Sequence, residues 1–153
     1  MTTTTTPDLT LTRVFPAPRA LVYQAFTDPV LFAAWWGPIG NSLPRDGLEF
    51  DVRPGGHLSW KEVFPADPGT WTIGRLDLTE VVDGELLDGI MRITGQLPGA
   101  YEPFETRMRV EFYDEVDGRT RLEIRQWLPE SYVAPTENGW GEAFTKLDAT
   151  LAA

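Results

Sequence analysis

The ten residues FETRMRVEFY (104–113) alternate without a break. Phe104, Thr106, Met108, Val110 and Phe112 fall on one side, and Glu105, Arg107, Arg109, Glu111 and Tyr113 on the other. A period of two is that of a β-strand with one dry face and one wet face. The same period runs in both directions from this segment. Upstream, TWTIGRLDLTEVV (70–82) and ELLDGIMRITG (85–95) are joined by Asp83-Gly84, a strong hairpin signal. Before them, LEFDV (48–52) and HLSWKEVF (57–64) flank RPGGH (53–57), where proline fixes φ and the glycine pair permits positive φ. Downstream, EVDGRT (115–120) turns the chain into RTRLEIRQWL (119–128), with Leu122, Ile124 and Leu128 inward.

The ends of the chain change period. DLTLTRVF (8–15) is one more strand, and PAPRALVYQAFT (16–27) opens a helix with Leu21, Val22, Ala25 and Phe26 at helical spacing. Thr27 or Asp28 caps a second short helix, with Pro29 at its first position and Gly37-Pro38 as its stop. NGWGEAFTKLDATLAA (138–153) carries Trp140, Phe144, Leu147 and Leu151 on a single stripe. The order is strand, two short helices, six strands in a meander, and a long helix: an α+β domain over 8–153, preceded by a polar tail (1–7) expected to be disordered. One apolar sheet face and one apolar helix stripe need each other. A long antiparallel sheet curls as it twists, so one helix lying across it need not fill the concave side. A cavity between the two is therefore expected.

The totals remove several functions. With 153 residues and 42% hydrophobic composition the chain suits one domain with a real core. Its net charge of −10 and its scattered basic residues exclude nucleic acid, whose binding rests on phosphate neutralisation. No apolar run reaches the ~20 residues that span a bilayer, and MTTTTTPD (1–8) lacks the features of a secretory signal. The absence of cysteine excludes disulfides and thiolate chemistry and suits a cytoplasmic location. With His57 as the only histidine, no His/Cys zinc site can form, and no cofactor is expected. DEVDG (114–118) lacks the spacing of a calcium loop and RPGGH that of a phosphate loop.

Three short stretches, FTDPVLFAAWWGP (26–38), FDVRPGGHLSW (50–60) and GWGEAFTKLDATL (139–151), give the chain a family likeness. In order and approximate spacing they resemble the bacterial proteins related to the C-terminal domain of the activator of the heat-shock-protein-90 ATPase. Those proteins belong to the START-like (SRPBCC), helix-grip superfamily. The resemblance covers nearly all of 8–153. It implies a β-α-α-β6-α fold in which a curved antiparallel sheet wraps around the long C-terminal helix. It also implies a cavity that in relatives receives lipids, polyketides or other apolar molecules. Where relatives often carry an ERLV-T-like segment, this chain reads GELLDGIMRIT (84–94), a departure from the pattern.

The candidate site follows from parity and the expected cavity. Phe32 and Trp36, at i and i+4, share a helix face and either border the cavity mouth or lid a filled core. Trp60, Met91, Met108, Val110, Trp140, Phe144 and Leu147 complete the apolar lining. Glu62 shares parity with Leu58, Trp60 and Phe64, so unbroken alternation buries a carboxylate that then needs pairing or protonation. A bulge would instead turn it to solvent. Gln126 stands in the same kind of position, and the two are candidate anchors for a ligand hydroxyl or carbonyl. Trp127 has charge-side parity, and an exposed indole there would suit a protein interface, leaving a homodimer open. GQLPGAYEPF (95–104) is long enough to act as a flap. Three functions stand: a non-enzymatic or weakly catalytic module binding a small hydrophobic ligand; a cyclase- or hydratase-like enzyme with Glu62 as acid or base; and a partner-protein module.

Overall fold

The computed structural model describes residues 6–97 and 102–153. Most of the expected polar tail (1–7), and the middle of the expected flap (95–104), lie outside the described residues. Strand β1 (Leu9–Phe15) leads into helices α1 (Arg19–Thr27) and α2 (Pro29–Trp35). Then come β2 (Glu49–Asp51), β3 (His57–Val63), β4 (Trp71–Val82), β5 (Leu86–Gln96), β6 (Phe104–Asp114), β7 (Thr120–Trp127) and α3 (Glu130–Ala152). The seven strands form one sheet in the order β1-β7-β6-β5-β4-β3-β2, antiparallel at every step. The meander is thus continuous, and β1 closes onto its far edge. The strands are those expected from the alternation, and the architecture is the helix-grip one that the resemblance implies.

Local chemistry sets the element ends. The Asp28 carboxylate accepts from the Val30 and Leu31 amides at 2.9 and 3.2 Å, capping α2 with Pro29 at its first position. The last helix departs from expectation, beginning at Glu130 rather than at Asn138. Pro135 and Asn138-Gly139 look like helix breakers, yet the turns before them are held from outside. The Tyr132 ring stacks on Phe104 with centroids 4.3 Å apart, and its hydroxyl donates to the Glu102 carbonyl at 2.6 Å. Tertiary contact overrides local propensity here.

The two sheet faces do different work. The concave face carries the core, with Leu58, Leu76, Leu87, Met108, Val110, Leu122 and Ile124 buried against α1, α2 and α3. The convex face carries the charges in lateral pairs. Asp88 is 4% exposed and accepts from Arg107 and Arg109, each at 2.9 Å. Arg125 bridges Glu111 and Glu123. Trp127 lies on this convex side, half-buried, with the Arg107 guanidinium 4.5 Å from its ring. His57 is half-buried, with its Nε2 2.9 Å from the Glu49 carboxylate on β2.

One cross-strand pair shapes the concave side. Trp60 on β3 lies directly opposite Gly74 on β4. A Cβ at Gly74 would fall 2.2 Å from Trp60 Cε2, so the missing side chain is the space the indole occupies. Gly74→Ala should therefore lower the unfolding free energy by about 1–3 kcal/mol, the usual cost of overpacking a dense core. Urea denaturation monitored by circular dichroism reads this directly; an unchanged midpoint would mean that the indole has slack.

Candidate functional site: a cavity under the last helix

The adjacent tryptophans are separated by the end of a helix. Trp35 is the last residue of α2; its indole donates to the Ala25 carbonyl at 2.8 Å and its ring packs on Phe26. Trp36 is already extended, at φ −65° and ψ 141°, so its side chain leaves the helix in another direction. Its ring stacks on Phe32 at 4.7 Å and meets Trp60 and Trp140 edge-on at 5.0 and 5.2 Å. One tryptophan belongs to the helix pair, and the other joins that pair to β3 and α3.

Beyond this joint the concave face is not filled. A cavity of about 210 Å³ lies between the sheet, α3 and the segment following α2. Trp36, Met91, Ile93, Phe104 and Trp140 give it apolar walls; Glu62 and Gln126 are its charged and amide side chains. A second compartment of about 220 Å³ adjoins it and shares Pro38, Glu62, Ile93, Phe104 and Thr136. Tyr132 and Pro135 extend that compartment under the first turns of α3. Each exceeds the ~150 Å³ of an engineered apolar cavity that admits benzene. Gly139 is part of the α3 wall, and apart from its chain neighbours and the helix's own backbone no atom of the described residues lies within 4 Å of where its Cβ would be. The helix leaves the space open partly because it has no side chain there.

Glu62 keeps its alternation and faces inward, 7% exposed. Asn41 Nδ2 donates to its Oε2 at 2.6 Å. Burial pushes the Glu62 carboxyl above the ordinary carboxylate range, while the Asn41 bond and the Lys146 charge pull it part of the way back. Burial also holds Lys146 below the ordinary lysine range, against the pull of Glu62 and Glu142. The lysine also ties down backbone, for its Nζ donates to the Trp36 and Pro38 carbonyls, each at 3.1 Å. Glu142 accepts from the Ile39 amide at 3.0 Å, so α3 holds the 36–41 segment from two side chains. Gly37 lies against the carboxylate with φ +84°, and a Cβ there would come 2.6 Å from Glu62 Oε2. Glycine is required at that position both for its backbone and for its size.

Of the residues expected to line the cavity, Trp36, Glu62, Met91, Gln126 and Trp140 are brought together around it. Phe32, Trp60, Met108, Val110, Phe144 and Leu147 are instead packed in the core beside it, each 6% exposed or less. Phe104 and Ile93 line the cavity and could have been found by parity. Asn41 and Lys146 carry no sequence signal, because both act through contacts with residues distant in the chain. Among the described residues no group of three or more His, Cys, Asp and Glu side chains is arranged to hold a metal. Among them, too, no helix is long and apolar enough to cross a membrane.

Comparison with known proteins places this geometry. Residues 16–152 match the family described as Activator of Hsp90 ATPase homolog 1-like protein. A crystal structure of a Chromobacterium violaceum protein is similar at 25% identity, covering 95% of this chain and 97% of that one, with a TM-score of 0.77. The AHSA1 protein from Silicibacter pomeroyi is 22% identical over 94% of this chain and 96% of its own, with a TM-score of 0.75. A Mycobacterium smegmatis protein shares the fold at 22% identity, with a TM-score of 0.77 over 94% of this chain and 90% of that one. No curated protein matches the sequence significantly.

The state of Glu62 has a consequence for stability. A carboxyl whose folded pKa is raised binds a proton more tightly in the native protein than in the unfolded chain. Its contribution is therefore most favourable in acid and is lost as pH rises from the unfolded value through the folded one. Glu62→Gln keeps an oxygen for Asn41 and removes the ionisation. The gain in Tm of this variant over wild type should be larger at pH 8 than at pH 4, as measured by differential scanning calorimetry. An equal or reversed difference would show that Glu62 is not held proton-rich by the fold.

Proposed function

The chain belongs to the Activator of Hsp90 ATPase homolog 1-like family, and from that premise we propose that it binds a small hydrophobic ligand between the sheet and the C-terminal helix. The observation that carries this reading is the cavity itself, apolar on most of its walls and left open by Gly139. Its two compartments together fall within the range of about 300–1,000 Å³ usual for small-molecule sites. Such walls with a few polar side chains among them, Glu62 and Gln126 included, suit a ligand that gains affinity from apolar burial and orientation from a few fixed groups. The family description refers to a chaperone activator, which keeps a partner-protein role in view. An unfilled cavity favours the small-molecule reading over that one.

A second reading has an observation of its own. A carboxyl raised by burial, beside an apolar cavity, has the character of a general acid. Glu62 would then protonate or deprotonate a bound polyketide-like substrate. Loss of turnover in Glu62→Gln with retained ligand affinity is the outcome that separates catalysis from binding.

Titration with a panel of naphthalene derivatives and medium-chain fatty acids, followed by tryptophan fluorescence, tests the binding reading. Saturable quenching is expected for at least one class, with reduced amplitude in Trp36→Phe. Gly139→Phe should lower affinity by at least about tenfold, or about 1.4 kcal/mol, by occupying the wall position that glycine leaves empty. It should do so without loss of helix content, since phenylalanine is the better helix former. Full affinity in Gly139→Phe would place the ligand elsewhere.

A further inference from the structure

Three buried side-chain polar atoms have no hydrogen-bond partner among the described residues: Tyr23 Oη, Trp60 Nε1 and Gln126 Nε2. Of the three residues, Gln126 alone lines the cavity. Its side chain is fully buried on β7, and its cross-strand neighbours are Leu9 and Met108. Leu9 has no side-chain acceptor and Met108 only the weak one of a thioether, and Gln126 Nε2 bonds to neither. A buried amide N–H left unpaired has its desolvation cost uncompensated, and native proteins rarely tolerate that without a reason.

The orientation of that amide is set by a residue that cannot be misread. Trp140 Nε1 lies 2.7 Å from Gln126 Oε1. An indole nitrogen only donates, so the amide oxygen must face it and the NH2 group must face away. An amide free to turn would present either a donor or an acceptor; this one offers only its donor. A ligand seated against that wall satisfies it only with an acceptor atom.

We propose that Gln126, locked by Trp140, is the specificity residue of the cavity and selects ligands that carry a carbonyl oxygen on an otherwise apolar, flat frame. Aromatic ketones and related cyclic carbonyl compounds are the class it fits. The flat frame is called for by the Trp36 and Trp140 rings among the walls, and the oxygen by the Gln126 donor. This inference rests on the cavity being a ligand site, and its test separates the two.

The probes are 2-acetylnaphthalene and 2-isopropenylnaphthalene, which have the same shape and differ in a carbonyl oxygen against a methylene group. Affinities of both are measured for wild type and Gln126→Leu. The expected result is a loss of about tenfold for the ketone on substitution, the size of one net hydrogen bond, with the alkene unchanged or tighter. Equal effects on the two compounds, including no effect on either, would overturn the selection by Gln126 and leave the cavity as an apolar site. Failure of both compounds to bind wild type would overturn the ligand-site reading itself, and the inference with it. A wild-type measurement guards against a misfolded variant. The carbonyl stretch of the bound ketone should lie below its value in hexane, and an unshifted band would overturn the donor assignment.

Discussion

The contact between Trp36 and aromatic rings of three different elements is the joint on which the arrangement turns. Phe32 belongs to α2, Trp60 to β3 and Trp140 to α3, and Trp36 touches all three. Each such pair contributes about 0.5–1.5 kcal/mol beyond its buried area. The joint also has a geometric effect. Once the ring is fixed, the backbone after it must pass over the end of β3, where Lys146 holds the Trp36 and Pro38 carbonyls. Asn41 then reaches Glu62. The cavity wall, the buried carboxyl and its partner are all downstream of where one indole sits.

Charge is distributed by face. On the convex side acidic and basic residues alternate across strands, and Asp88, Glu111 and Glu123 are each paired with arginines. Lateral pairing lets most of this face keep its charges partly wet, where their individual contributions are small, while Asp88 is buried between two arginines. The concave side carries Glu62 without an arginine beside it, and burial is felt there as a raised pKa rather than as an ion pair. The same type of side chain is thus a surface element on one side of the sheet and a chemically poised group on the other.

Alternation makes the sheet legible because a strand with one dry face has no other way to be written. It also places Glu62 and Gln126 inward, and both are buried. What parity does not encode is which end of the concave face lies beneath the helix and which end projects past it. Met108 and Met91 have the same parity, yet Met108 is core and Met91 is cavity wall. That difference arises from where α3 crosses, with Trp140, Phe144 and Leu147 seated in the core and Tyr132 stacked on Phe104. The start of α3 is hidden for the same reason: Pro135 argues against a helix locally, and a contact from β6 overrules it. The separate roles of Trp35 and Trp36 are equally illegible, since helical spacing pairs Trp36 with Phe32 on one face while the chain in fact leaves α2 between the two tryptophans.

The composition of α3 also bears on time. Over the cavity the helix contains Pro135, which gives up one backbone hydrogen bond, and Gly139, which weakens a helix by roughly 1 kcal/mol relative to alanine. Further along, Trp140, Ala143, Phe144 and Leu147 are buried against the core. The helix is therefore firm where it is gripped and soft where it roofs the empty space. Local opening begins where such stabilising contacts are fewest. A guest could pass by the loosening of one or two turns, with the sheet and the joint at Trp36 undisturbed. On the proposed binding function, the rate of ligand exchange would then be a property of the helix that roofs the cavity and of its sequence, separable from the affinity set by the walls.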